Sequence, residues 1–163
     1  VVEVFSLLVE DQFEPVLRRK MDAIGAQVVR VAFAPDDTAC IAGEIRRLLA
    51  EGADLLLLTG GMSVDPDDVT RQAVVEAGAT DILYGAPVIP GAMFMIATIG
   101  TVPLLGIPAC GLYHETTIFD LILPRVLAGE RLTRRDMAAL GHGGLCLHCG
   151  ECRYPRCPFG KGN

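Results

Sequence analysis

Nowhere in its 163 residues does this chain run apolar for the ~20 positions that a helix needs to cross a bilayer, and no signal-peptide pattern opens it. A cytoplasmic protein without a membrane partner is therefore expected. An excess of positive charge is missing too. The net charge is −6, which argues against a nucleic-acid partner, and Arg18-Arg19-Lys20 and Arg46-Arg47 read as solvated helix faces beside acidic residues. Neither a Gly-x-x-x-x-Gly-Lys-Ser/Thr loop nor a Gly-x-Gly-x-x-Gly turn occurs, so a plain nucleotide-binding domain ranks last among the readings. Internal repeats and low-complexity segments are absent. What is present is 51% hydrophobic and 21% charged, the balance of one globular domain with a full core. The chain opens on Val1 rather than Met, as a piece of a longer protein would.

In order, residues 1–9 read as a first strand. A helix follows from about Glu10 to Gly25, with Phe13, Val16, Leu17, Met21 and Ile24 on one face and Pro15 tolerable in its early turns. Residues 26–34 form a second strand, and Pro35-Asp36-Asp37-Thr38 is a loop and cap for a helix with Ile41, Ile45, Leu48 and Leu49 on one stripe. Residues 53–59 make the third and most buried strand. Three βα units in succession predict a parallel sheet with right-handed crossovers. Shorter strands are expected at 81–84, 93–98 and 102–107. Next come a long apolar helix from about His114, kinked at Pro124, and a short helix at 133–140.

The third strand leads into the most informative stretch. Leu55-Leu56-Leu57-Leu58 is an unbroken apolar run, as a strand buried on both faces requires. It breaks at Thr59-Gly60-Gly61-Met62-Ser63, passes Asp65, Asp67 and Asp68, and enters a pattern with Val69, Ala73, Val74 and Ala77 on one helix face. Strand, glycine turn and helix start form the place where ligands bind in open α/β sheets. Glycines let backbone N–H groups approach an anion closely, and Ser63 adds a hydroxyl. Carboxylates repel a bare phosphate, so their presence predicts phosphate bound together with Mg²⁺; the plainer alternative is that they cap the helix. Ile107-Pro108-Ala109-Cys110-Gly111 is a second strand-to-helix turn, expected at the same sheet edge.

The six cysteines are of two kinds. Cys40, at a helix start, reads as a small buried hydrophobe, and Cys110 as a largely structural residue at the rim of the pocket. The others form Cys146-x2-Cys149-x2-Cys152-x4-Cys157-Pro158, a spacing that suits four thiolates on Zn²⁺ or on an iron–sulfur cluster, with His142 and His148 nearby. Inside a cell such a set is expected to bind metal rather than form disulfides. The division is therefore an α/β domain over 1–140 and a Cys-rich metal-binding tail over 141–163.

The Thr59-Gly60-Gly61-Met62-Ser63 turn with Asp68, Asp36-Asp37 one βα unit earlier, Pro90-Gly91 and Gly106-Ile107-Pro108 together resemble the molybdopterin-binding domain of molybdenum-cofactor biosynthesis proteins, of the adenylyltransferase and insertase type. The resemblance covers 1–129 by order of elements. With the tail included, the chain is similar to a bacterial subgroup of that family.

The resemblance implies a three-layer α/β sandwich with a mostly parallel, mixed sheet. It implies a pterin dithiolene phosphate, or its nucleotide form, held at Thr59, Gly60, Gly61, Met62 and Ser63. Pro108 and Cys110 would line one wall. Asp68 and Asp37 would assist Mg²⁺ or adenylyl chemistry, with Asp65, Asp67 and Asp36 beside them. ATP, molybdate, a second copy of the chain and a recipient molybdoenzyme are the partners it implies. Three departures stand out: Asp65 where insertases have Gly, Ala109-Cys110 in the second turn, and a loop over 6–11 without glycine. These favour a non-catalytic carrier or sensor, whereas the crowd of carboxylates favours an enzyme.

Overall fold

The structure is a computed structural model and describes residues 2–6 (backbone only), 12–62 and 68–161. A six-stranded sheet runs in the order β2-β1-β3-β6-β5-β4. Strands β1 (Val2–Ser6), β2 (Arg30–Ala34), β3 (Leu56–Thr59) and β6 (Val102–Ile107) are parallel neighbours, while β5 (Met95–Ile99) and β4 (Thr80–Tyr84) add antiparallel strands on one side. The expected mixed, mostly parallel sheet is what forms. No helix among the described residues is long and apolar enough to cross a membrane.

The leucine run shows why the sheet has two covered faces. All four residues of β3 are buried, and they alternate in direction. Leu57 packs with Leu17, Met21, Ile118, Phe119 and Ile122 on one face; Leu56 and Leu58 pack with Ile41, Ile45, Leu48 and Val74 on the other. The first face is covered by α1 (Phe13–Ala23), α5 (Ile118–Leu127) and α6 (Arg134–Ala139), the second by α2 (Thr38–Ala50) and α3 (Thr70–Glu76). A strand flanked by helices on both faces has no polar side to show, which is why its sequence does not alternate.

Three expectations need correction. The second strand starts at Arg30 rather than Ala26, with only Val28 of the preceding stretch buried outright. Ile24 lies 42% exposed, beyond the last helical residue of α1 rather than on its buried face. The long helix begins at Ile118, not His114, after a separate single turn, α4 (Cys110–Tyr113). His114 is extended, and Thr117 starts α5 with a capping box: its hydroxyl accepts from Phe119 N–H at 3.2 Å, and Asp120 accepts from Thr117 N–H at 2.7 Å. Asp120 also pairs with Lys20 of α1, whose ammonium reaches the Glu115 carbonyl at 2.6 Å. Thr117 is 2% exposed. Thr117→Ala is expected to cost about 1 kcal/mol, read as a fall of roughly 2–4 °C in the thermal midpoint.

Pro124 lies inside α5 and lacks the N–H that would bond the Asp120 carbonyl four residues back. The tail supplies the missing donor: the Tyr154 hydroxyl donates to Asp120 O at 3.3 Å. The tail docks elsewhere too. Phe159 is buried in the same core as α5, Gly160 fits against Leu121 where a Cβ would collide, and Cys146 N–H donates to Ile89 O at 2.8 Å.

Candidate functional site

Register places the turns. Thr59 pairs with Ile107, so Gly60 and Pro108 leave adjacent parallel strands at one level. Val4 pairs with Leu58 and Ser6 with Ala34, which brings the carboxyl end of β2 to that same edge. Between β1 and β3 the direction of sheet growth reverses, with β2 on one side and β3 on the other. Crevices at such reversals are where open α/β sheets hold ligands.

The turn itself is built by side chains that the sequence did not single out. Gly60 and Gly61 have φ of 81° and 57°, the left-handed region in which other residues are strained. The Thr70 hydroxyl, in the first residue of α3, donates to Gly60 O at 3.2 Å, and a Cβ on Gly61 would fall on that same oxygen. The Met62 side chain is buried against Gly106 and leaves no room for a Cβ there, so Met62 can offer a ligand only its backbone. Its carbonyl accepts from the Tyr84 hydroxyl at 2.9 Å, and the Arg71 guanidinium stacks 4.3 Å from the Tyr84 ring. Thus a cation is held at the rim of the turn. Only context could have revealed Thr70, Arg71 and Tyr84, because β4 lies far from β3 in sequence.

Asp68 stands out chemically. Its residue is half-buried, and Oδ2 is enclosed without a hydrogen-bond partner among the described residues. An unpaired buried carboxylate oxygen is costly, and a cation or ligand donor would relieve it. The cap alternative does not fit Asp68, because the residue flanking α3 is Val69, with no side-chain cap bond. With only seven residues, α3 adds little dipole, and the Arg71 guanidinium is the full positive charge seen at the rim of the turn among the described residues. Ser63, Asp65 and Asp67 lie outside the described residues. Thr59 is buried at the end of β3.

Asp37 does act as a cap, as the loop reading expected. Its Oδ1 accepts from Cys40 N–H at 2.8 Å at the start of α2. That bond holds its carboxyl below the ordinary range, so its contribution to stability is present above the usual carboxylate pKa and is lost as pH falls through the lowered value. Asp36 is exposed beside it. Two strand spacings separate the end of β2 from that of β3, roughly 10 Å.

Cys40 corrects an expectation. It is exposed, because Ile41, Ala42 and Ile45 take the inward positions of α2. The hydrogen bond with Asp37 raises its thiol pKa, which keeps it protonated. Asp37→Asn is expected to speed alkylation of Cys40 by iodoacetamide at neutral pH, measured by mass spectrometry; an unchanged rate would contradict the assigned contact. Cys110 is half-buried at the first position of α4, and burial pushes its thiol up. Pro108 accepts Gly111 N–H at 2.9 Å and closes the second turn.

The four tail cysteines line a cavity of about 250 Å³ with His114 and His148, reached along α4 from the end of β6. Among the described residues, no three His, Cys, Asp or Glu side chains are drawn together as a single ion requires.

The family described as "Probable molybdopterin binding domain" matches residues 2–128. The chain belongs to that family. Among solved structures, the molybdopterin-binding domain resembles the molybdopterin biosynthesis enzyme MoaB of Thermus thermophilus (TM-score 0.64, 18% identity, 78% of this chain and 92% of that one). It also resembles the CinA protein of Thermoplasma acidophilum (TM-score 0.59, 14% identity, 78% and 96%). At such identities the likeness concerns the fold. A CinA-like protein of Thermosipho melanesiensis is 30% identical over 82 residues, covering 50% of this chain and 20% of its own length. A molybdenum cofactor biosynthesis bifunctional protein of Synechococcus elongatus is 30% identical over 73 residues, covering 45% and 23%. The molybdopterin-binding domain thus spans about a fifth of the length of these curated relatives.

Proposed function

We propose that the chain binds molybdopterin or its nucleotide form at the carboxyl edge of the sheet and serves molybdenum-cofactor biosynthesis. The observation that carries this reading is the Asp68 oxygen, buried with no hydrogen-bond partner among the described residues, at the entry to the helix that follows two left-handed glycines at the end of the central strand. In this reading backbone N–H groups of Gly60 and Gly61 take the pterin phosphate, Arg71 balances its charge, and Asp68 is the carboxylate for Mg²⁺. Bound Mg²⁺ would supply charge stabilisation for phosphoanhydride formation or cleavage, with ATP and molybdate as co-substrates. A second copy of the chain and a recipient molybdoenzyme are the proposed partners. Cys146, Cys149, Cys152 and Cys157 are the proposed ligands of a tail metal, Zn²⁺ or an iron–sulfur cluster.

A second reading, a carrier or sensor without turnover, is favoured by Asp37. Its carboxylate caps α2 and is already engaged by the Cys40 N–H, after β2 rather than after β3. Anaerobic incubation with molybdopterin, Mg²⁺ and ATP separates the two. Release of AMP or pyrophosphate supports the enzyme; binding without release supports the carrier.

A further inference from the structure

Where the tail begins, a short segment is paired along one side only. Ile89 N–H donates to Gly144 O at 2.7 Å and Cys146 N–H to Ile89 O at 2.8 Å, an isolated parallel bridge between Ile89 and Leu145. In such a ladder the N–H and C=O of the residue in between, Leu145, point the opposite way. Neither group, nor those of Leu147, has a hydrogen-bond partner among the described residues. Side chains alternate as in a strand: Cys146 packs against the core, whereas Leu145 and Leu147 are exposed. Close packing fixes the segment, since a Cβ on Gly144 would lie 2.2 Å from Pro87 O, and Gly160 N–H donates to Gly143 O at 2.9 Å. An unpaired edge with apolar side chains is a template for another strand. Exposed apolar surface extends beyond it. Ile89 is exposed across the bridge, and Tyr113, 76% exposed, lines one cavity with Leu145 and the 72% exposed Leu147.

The charge around this patch is positive, in a chain whose net charge is −6. Residues 141–163 carry Arg153, Arg156 and Lys161 against Glu151, a net +2. Arg153 lines the cavity of Leu145 and Leu147, as does Glu115, and Arg19 of α1 lines the adjoining hollow that Tyr113 also borders. None of these four cations has an ion-pair partner among the described residues.

We propose that the Leu145–Leu147 edge, with Ile89 and Tyr113 beside it, docks an extended, acidic segment of a partner protein as one added strand. The segment's backbone pairs with the free N–H and C=O groups of Leu145 and Leu147. Its alternate apolar side chains cover the two leucines, and its flanking carboxylates meet Arg153 and Arg156. A second copy of this chain fits less well, because carboxylates such as Glu14, Glu44 and Glu76 sit on helices and already pair with arginines. The surface uses neither the Gly60–Gly61 turn nor the cysteine thiols, so it stands apart from the pterin reading.

The test is titration of a fluorescein-labelled synthetic peptide with the reduced whole chain, followed by anisotropy. The peptide alternates Val and Thr between runs of Glu and Asp. One control carries Lys in place of the acidic runs, and another carries N-methyl groups on alternate amides of its core. The acidic peptide should bind saturably, about tenfold or more tighter than either control, and more weakly as salt rises. Leu147→Glu and Arg153→Glu, both at exposed positions, should each weaken binding about tenfold while the thermal midpoint stays unchanged. By NMR, the amide protons of Leu145 and Leu147 should become protected from exchange when the peptide binds. Equal affinity for the acidic and Lys peptides, unaltered binding by Leu147→Glu, or no saturable binding by the folded parent overturns the proposal. Self-association that Leu147→Glu abolishes, seen by sedimentation equilibrium without any peptide binding, overturns it too and makes this face an interface between copies.

Discussion

Asp68→Ala is expected to make the ligand-free protein more stable while removing its Mg²⁺-dependent chemistry. Deleting a buried oxygen that has no partner among the described residues relieves a desolvation cost of about 1 kcal/mol, or roughly 2–4 °C in the thermal midpoint. The same deletion takes away the carboxylate assigned to Mg²⁺. If the protein turns over ATP, release of AMP should fall by about 100-fold or more, the scale seen when one preorganised electrostatic group is removed. Molybdopterin binding without Mg²⁺ should survive, because the turn is untouched. A variant less stable than the parent, with Mg²⁺ dependence intact, would show that Asp68 serves the fold instead. Differential scanning calorimetry and the Mg²⁺ titration can be run on the same sample.

Gly61→Ala is expected to do the opposite and damage both stability and binding. A φ of 57° costs a non-glycine residue about 1–2 kcal/mol, and the new Cβ would fall on Thr70 Oγ1, which holds Gly60 O. Either α3 shifts or the turn opens. A loss of about 2–4 kcal/mol is expected by denaturant titration, with affinity for molybdopterin falling at least tenfold. The clash predicts a specific coupling. In the Gly61→Ala background, Thr70→Ala should recover part of the lost stability, although alone it destabilises by removing a hydrogen bond. Additive losses in the double variant would mean that Thr70 does not brace the turn.

Much of this architecture could be read directly from the chain. The leucine run of β3 lacks alternation because both faces are covered, and its end at two glycines marks the carboxyl edge of the sheet. The match of Gly60 with Pro108 followed from treating both turns as exits from parallel strands, and the register bears it out. The face of α3 with Ala73, Val74 and Ala77 was equally plain.

What was hidden depends on contacts between distant segments. Tyr84 reaches Met62 across 22 positions, and nothing local in β4 marks it as a brace for the turn. The start of α5 was misplaced because apolar periodicity outweighed a capping box at Thr117 and Asp120 that was legible in principle. Cys40 was misjudged because composition says that cysteines are usually buried, whereas its place on α2 faces outward. The anchoring of the tail by Phe159 and by the carbonyl that Pro124 leaves free required the fold.

The central claim is that the Gly60–Gly61 turn, with Asp68, binds molybdopterin. The most direct test is an anaerobic equilibrium titration of the whole chain with molybdopterin, followed by pterin fluorescence, with and without Mg²⁺, for the parent and for Gly61→Ala. Saturable binding by the parent, tighter with Mg²⁺ and weakened by Gly61→Ala, is the expected result. No binding by the folded parent, or binding that Gly61→Ala leaves unchanged, would contradict it.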